Sequence, residues 1–275
     1  MKSIIKRQST THAQISQRAL WVRGIPCHAD HEKIRYVPLT PKDSSTKVLP
    51  KTAAGYDLFD FYYPRGKGPE GQKSVYLEFV DLSNDLSGIV DFLNAYGPLH
   101  LAGMLHPTEQ DQGPYEKTEA LSDIHTAIHT FRTVLLLCQA HHEQREDILK
   151  EVKLSPLWVA HEGQWQTLRH PVNLEKIPQQ LHLLFLRQLE GLRFEPRWEQ
   201  ASDQWVHYWS IPSLLTIFYY MLFLDLERQG LHRQCPPGDY ACGSFFVTWR
   251  KGAKYCSDRC QKLAKVRRMR DPARK

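Results

Sequence analysis

The chain has 275 residues, 41% hydrophobic and 24% charged. Such proportions belong to globular proteins and exclude wholesale disorder. The formal net charge of +6 is unevenly spread: residues 250–275 hold eleven basic side chains against two acidic ones, a sum of +9, and the remainder sums to −3. A positive field confined to one segment points to a polyanionic partner, with a merely solvated basic end as the alternative.

A domain takes roughly 100–200 residues, so one large domain with a small appended module is the expected organisation. The opening MKSIIKRQSTTHAQISQRAL builds no continuous apolar run, which argues against an export signal and for a cytoplasmic protein. Six cysteines in such a chain read as metal ligands or core residues rather than disulfides.

Residues 1–73 are expected to be irregular, with prolines and glycines recurring and short strands near Ala53–Tyr63. Tyr56, Phe59, Phe61, Tyr62 and Tyr63 cluster there, as a sheet face or core edge or as a stacking platform for bases. Residues 74–230 read as a helical domain. SVYLEFVDL has a strand-like start. Ser83-Asn84-Asp85 offers a cap before LSGIVDFLNAYG, and Gly97-Pro98 ends that helix. Glu119–Val152 reads as one long helix, because Ile124, Ala127, Ile128, Phe131, Val134, Leu135 and Cys138 recur near a period of 3.6. Ile177–Leu192 reads as another, with Pro178 tolerated in its first turn. Ser213–Gln229 is the most apolar helix, with Gly230 as its stop. The apolar stretch Ile211–Leu224 within it is too short to span a membrane, which takes roughly 20 residues, and is assigned to the core.

The final segment, residues 231–275, carries the strongest motif. Cys235, Cys242, Cys256 and Cys260 follow the spacing C-x6-C-x13-C-x3-C. Two close pairs separated by a loop can wrap one zinc ion, which favours four sulfur ligands in a tetrahedron. Pro236-Pro237-Gly238 supplies a turn, Gly243 a bend after the second ligand, SFFVTW a strand, and Ser257-Asp258 a helix start at the second pair. So small a module builds little core, and the metal would supply folding free energy. Four cysteine ligands leave no open position, so the zinc is structural. The expected form is a treble-clef-like module, a β-hairpin plus a helix.

Beyond Cys260, Leu263, Val266 and Met269 form a narrow apolar stripe suited to Phe245, Phe246 and Trp249. The other faces present Lys262, Lys265, Arg267, Arg268 and Arg270, with Arg259 just before, as candidate contacts to nucleic-acid phosphates. Nothing here identifies side chains that read bases.

His125 and His129 share a helix face, Cys138 lies near His141 and His142, and Cys27 near His28 and His31. Each group is a possible metal site, with incidental proximity as the alternative. No H-E-x-x-H, phosphate loop, nucleophile elbow or kinase signature is present, and no catalytic constellation is assigned.

Leu231–Arg233 leading to Cys235, then CGSFFV, then KYCSDRC with Ala264 and a run of Arg, resembles the CGNR-type zinc fingers of bacterial regulators. SLLTIFYYMLFLDLERQG looks like the last helix of the ABATE-like domain that accompanies such fingers, and LEFVDLSNDLSGIVDFLNAYGPL is similar to its early part. Gln261-Lys262-Leu263 stands where Gly-Asn-Arg names the finger, so the ligand positions are what carries over. The resemblance implies a DNA-binding bacterial transcription regulator, its helical domain sensing a small-molecule or protein effector, with homo-oligomers possible. The rival readings are a protein-interaction module with a purely structural zinc knot, and an enzyme acting on nucleic acid through the helical body.

Overall fold

The computed structural model describes residues 18–20, 27–30, 33–36, 56–57, 74–82, 86–97, 99, 118–152, 157–161, 164–168, 173–199, 203–210, 213–238 and 241–270. The described part is mainly helical. The aromatic cluster near Ala53–Tyr63, the cap at Ser83–Asp85 and the Cys27–His28–His31 group lie outside the residues whose side chains are described.

Short strands open the chain: β1 (Arg18–Leu20), β2 (Cys27–Asp30), β3 (Lys33–Tyr36) and β4 (Tyr56–Asp57). Helix α1 (Val75–Asp81) occupies the segment with the strand-like start. Five of its seven residues are buried, so no period-2 or period-3.6 face exists to separate strand from helix. Arg132 settles its end by donating to the carbonyls of Val80 and Leu82. Helix α2 (Leu86–Tyr96) buries Ile89, Phe92 and Leu93. Gly97 stops it at φ 95°, its N–H bonded to the Leu93 carbonyl.

The long helix read for Glu119–Val152 is three elements. Strand β5 (Thr118–Ala120) pairs with β3, and α3 (Leu121–Glu143) follows. Gln144 then enters the left-handed region at φ 53° and caps α3, and α4 (Glu146–Val152) begins anew. Arg145 at the break pairs with Glu143 and Asp147. These exposed contacts interrupt the backbone without disturbing the apolar period, which is why periodicity alone runs straight through it.

Two hairpins follow that the helical reading passed over. Strands β6 (Leu157–His161) and β7 (Gln164–Leu168) form the first. After a 3-10 turn capped by Asn173, helix α5 (Ile177–Gln188) starts with Pro178 in its first turn and ends short of Leu192. Strands β8 (Arg193–Glu199) and β9 (Gln204–Ser210) form the second, turning at Asp203 with φ 50°. Their sheet runs β4-β1-β9-β8, and Pro196 sits on the edge strand, where a missing N–H is tolerated.

Helix α6 (Leu214–Glu227) matches its reading closely. Ser213 Oγ accepts from Thr216 N at 2.9 Å, and seven apolar side chains between Leu214 and Leu222 are buried. Gln229 turns out at φ 61°, and the Gly230 N–H reaches the Asp225 carbonyl at 2.7 Å. A Cβ on Gly230 would lie 2.9 Å from that oxygen, so the close approach requires glycine. No helix among the described residues is long and apolar enough to cross a membrane.

Helices α1, α2, α3 and α6 bury one continuous core. Its centre is aromatic: Phe79–Phe218 centroids are 5.0 Å apart and Phe131–Tyr219 4.8 Å. Such tilted contacts add about 0.5–1.5 kcal/mol each beyond the area they bury. Phe131→Ala is therefore expected to cost about 3–5 kcal/mol of unfolding free energy, checked by urea denaturation. A loss under about 1 kcal/mol would contradict this packing.

Strand β10 (Leu231–Gln234) pairs antiparallel with β13 (Phe245–Thr248), and between them β11 (Pro237–Gly238) pairs with β12 (Ala241–Cys242). Helix α7 (Asp258–Arg270) ends the described chain. Contacts run across residue 230. Phe245 joins the main core, Gln234 N donates to Gln139 Oε1 at 3.1 Å, and Arg233 pairs with Glu143 at 2.8 Å.

Candidate metal centre

Each of the four cysteines is delivered by a different local device. Cys235 follows β10, where its N–H bonds the Ser244 carbonyl at 2.9 Å. Cys242 ends β12, and Gly243 bends the chain away at φ 67°. Cys256 lies in the turn before α7. Cys260 sits in the first turn of α7, whose start is capped by Ser257: its Oγ accepts from Cys260 N at 3.3 Å. The result is a cluster whose four Sγ atoms all lie within 4.8 Å of one another, the only such grouping of three or more potential ligands among the described residues.

Cys242–Cys256 sulfurs are 3.3 Å apart and Cys256–Cys260 sulfurs 3.6 Å. A disulfide needs about 2.05 Å, so these are thiols in contact. A tetrahedral centre with metal–sulfur bonds of about 2.3 Å sets its sulfurs about 3.8 Å apart, so the cluster needs little adjustment to close on a cation. The four cysteines can hold a metal ion.

The electrostatics agree. Burial pushes the Cys242 thiol up, but hydrogen bonds from Ser244 and from the Cys256 and Cys235 thiols outweigh it and leave the group at about 7. The same crowding works against its neighbours. Cys235 is raised chiefly by burial, and Cys256 by burial and by its hydrogen bonds to Cys242 and Cys260. Cys242 therefore ionises more readily than Cys235 and Cys256, which burial holds in the thiol form. A bound dication would favour the thiolate at each.

Cys235 and Cys260 are buried, Cys256 is partly covered and Cys242 is exposed. Phe246 packs against Cys235 and Cys260, with Ala253 and Tyr255 at its flank. Phe245 points the other way, into the main core. The stripe on α7 does not find the partners expected of it: Val266 and Met269 are largely exposed, as is Trp249. The hairpin's two phenylalanines are already engaged, one with the helical core and one with the cysteines.

Of the candidate phosphate contacts, Arg259, Lys262 and Lys265 are exposed on α7. Arg267, Arg268 and Arg270 continue the same helix, and their side chains lie outside the described residues. The other groups do not form metal sites among the described residues. His125 is half-buried and His129 exposed, without a third ligand. Cys138 is buried and its thiol pushed up to about 12 by burial, the state of an inert core cysteine. His141 Nδ1 faces the Leu174 carbonyl at 3.4 Å.

Sequence reasoning missed the residues that hold β10 in place. Gln139 and Glu143 on α3 grip Gln234 and Arg233, Gln234 Nε2 donates to the Gly243 carbonyl at 3.0 Å, and Arg233 donates to the Ala253 carbonyl. No local pattern marks Gln139 and Glu143, since they lie 95 and 90 residues before Gln234 and Arg233 in the chain.

No protein-family model matches the chain, and no curated protein matches it.

Proposed function

We propose that the chain is a zinc-containing DNA-binding protein, a transcription regulator whose helical body responds to a ligand or protein partner. The observation that carries the metal part is the four-sulfur cluster, whose donors and spacing suit zinc. The module would be a treble-clef-like finger: one ligand pair brackets the β11–β12 hairpin, Cys235 just before it and Cys242 at its end, and the start of α7 carries the other. Zinc with four cysteines has no open position, so the proposal involves no catalysed reaction at the metal.

The charge of the last 26 residues, +9, carries the DNA part. A four-thiolate zinc centre offsets about two of those charges. Cys260 would pin the first turn of α7, where Arg259 beside it and Lys262 and Lys265 beyond it stand exposed. A pinned basic helix can lie along phosphates, where neutralised charges release counterions.

Replacing Lys265, Arg267, Arg268 and Arg270 with Ala is therefore expected to weaken duplex-DNA binding at least about tenfold and to flatten the log–log salt slope by about 2–3 units, zinc content being unchanged. Fluorescence anisotropy at several salt concentrations reads both. Unchanged affinity and slope would favour a protein-interaction module instead. The exposure of Val266 and Met269 on α7 is the observation on that side.

A further inference from the structure

Three polar side chains meet inside the apolar core. Tyr76 on α1, Asp225 on α6 and His232 on β10 are 0%, 2% and 1% exposed. The Tyr76 hydroxyl donates to Asp225 Oδ2 and lies 3.0 Å from His232 Nε2. With its hydrogen committed to the carboxylate, the phenolic oxygen accepts from Nε2–H, and Nδ1 is left as a bare acceptor. Nδ1 is buried and has no hydrogen-bond partner among the described residues. Burial, with His142 nearby, holds the ring down at about 3, so it is neutral.

A buried polar atom without a partner destabilises the fold, and an apolar side chain at 232 would avoid that cost. What the cluster supplies is a single register. His232 faces Val247 across the β10–β13 pair, and Cys235 follows three residues later. A one-residue slip of β10 would turn the position-232 side chain to the other face and shift Cys235 by about 3.3 Å. That displacement exceeds a whole metal–sulfur bond of about 2.3 Å.

We propose that His232 is a positioning residue for the metal centre: its contact with Tyr76 and Asp225 locks β10 against α1 and α6 and so presents Cys235 to the other three sulfurs. This rests on the zinc reading given under Proposed function. The coupling is reciprocal. A bound metal steadies the cluster, and an effector that shifts α1 or α6 changes the metal affinity.

The test measures zinc affinity of the full chain by competition with a chromophoric chelator. The proteins are the parent, His232→Leu, His232→Gln, Tyr76→Phe and Leu93→Ala. His232→Leu keeps the bulk and removes both ring nitrogens. It should bind zinc at least about tenfold more weakly, within the usual range of coupling between sites, while still saturating at one equivalent. His232→Gln restores a side-chain donor and should recover most of the loss. Tyr76→Phe removes one hydroxyl and should weaken zinc about three- to tenfold. Leu93 is a buried core residue on α2 outside the polar cluster. Its alanine variant should lower the melting temperature yet hold zinc within about threefold of the parent, which separates positioning from general instability. Parent-like affinity in both His232→Leu and Tyr76→Phe would overturn the proposal, as would an equal weakening in Leu93→Ala. If His232→Leu does not fold, Tyr76→Phe and His232→Gln decide the matter. A parent that takes up no zinc would sink the zinc reading and this proposal with it. Tight zinc in every variant would sink this proposal alone.

Discussion

Cys235→Ser and Cys256→Ser are each expected to reduce zinc from about one equivalent per chain to a trace, whereas Cys138→Ser should retain it. The reason is geometric and chemical. Cys235 is fully buried with its sulfur among three others, and a serine oxygen is shorter and harder than a thiolate. Residues 235–260 contribute a small apolar cluster of Cys235, Phe246 and Cys260. Structural zinc contributes about 10–16 kcal/mol in comparably small peptides, far more than such a cluster can. Losing the ion should therefore melt the β11–β12 turn and the first turn of α7. The helical core should persist, because among the described residues Phe245 is the one apolar side chain of the module buried in it. Elemental analysis reads the zinc, and limited proteolysis reads the order, with new cleavage expected between residues 236 and 260. Zinc near one equivalent in Cys235→Ser would remove that residue from the ligand set.

The four-cysteine cluster was legible in the sequence because it needs few residues at short spacing, each with a local signature. Gly243 takes a positive φ after Cys242, and Ser257 caps the helix that holds Cys260. Helix α6 was legible for a similar reason: Ser213 announces it and Gly230 ends it. Where the reading failed, the deciding contacts were distant or ambiguous. Helix α1 is buried on most of its surface and shows no face. The long central helix breaks at Gln144, a non-glycine residue in the left-handed region that its composition does not advertise. The β8–β9 hairpin did carry a signal. Phe194, Trp198, Trp205, Val206, Tyr208 and Trp209 are residues of high strand propensity around Asp203, and they outweigh the charged residues between them. His232 carried none, because its partners Tyr76 and Asp225 come from α1 and α6, 156 and seven residues earlier in the chain.

The same histidine makes acid an expected destabilant, with a definite sign. Its ordinary value is 6.5, and in the folded protein burial first, and the charge of His142 second, hold it at about 3. Facing it are Tyr76 from α1, Asp225 from α6 and His142 from α3. The Asp225 carboxylate would favour a charged ring, but it lies 4.0 Å away and already takes the Tyr76 hydroxyl, so burial prevails. Between 6.5 and about 3 the unfolded chain binds a proton at this site and the folded chain does not. Stability must then fall as pH falls through that window, by at most about 1.4 kcal/mol per pH unit for one proton. Above 6.5 the site contributes no slope, and below about 3 both states are protonated and the loss levels off. Summed over the window the effect reaches several kcal/mol, more than most single substitutions. Urea unfolding of the parent and His232→Gln at pH 7, 6, 5 and 4 isolates it. Acid also displaces zinc from thiolates, so both proteins are compared in their zinc-free forms. The parent's advantage over His232→Gln should shrink steadily as the pH drops. Parallel pH dependences would mean that His232 is not held neutral in the folded protein and that Nδ1 also carries a proton.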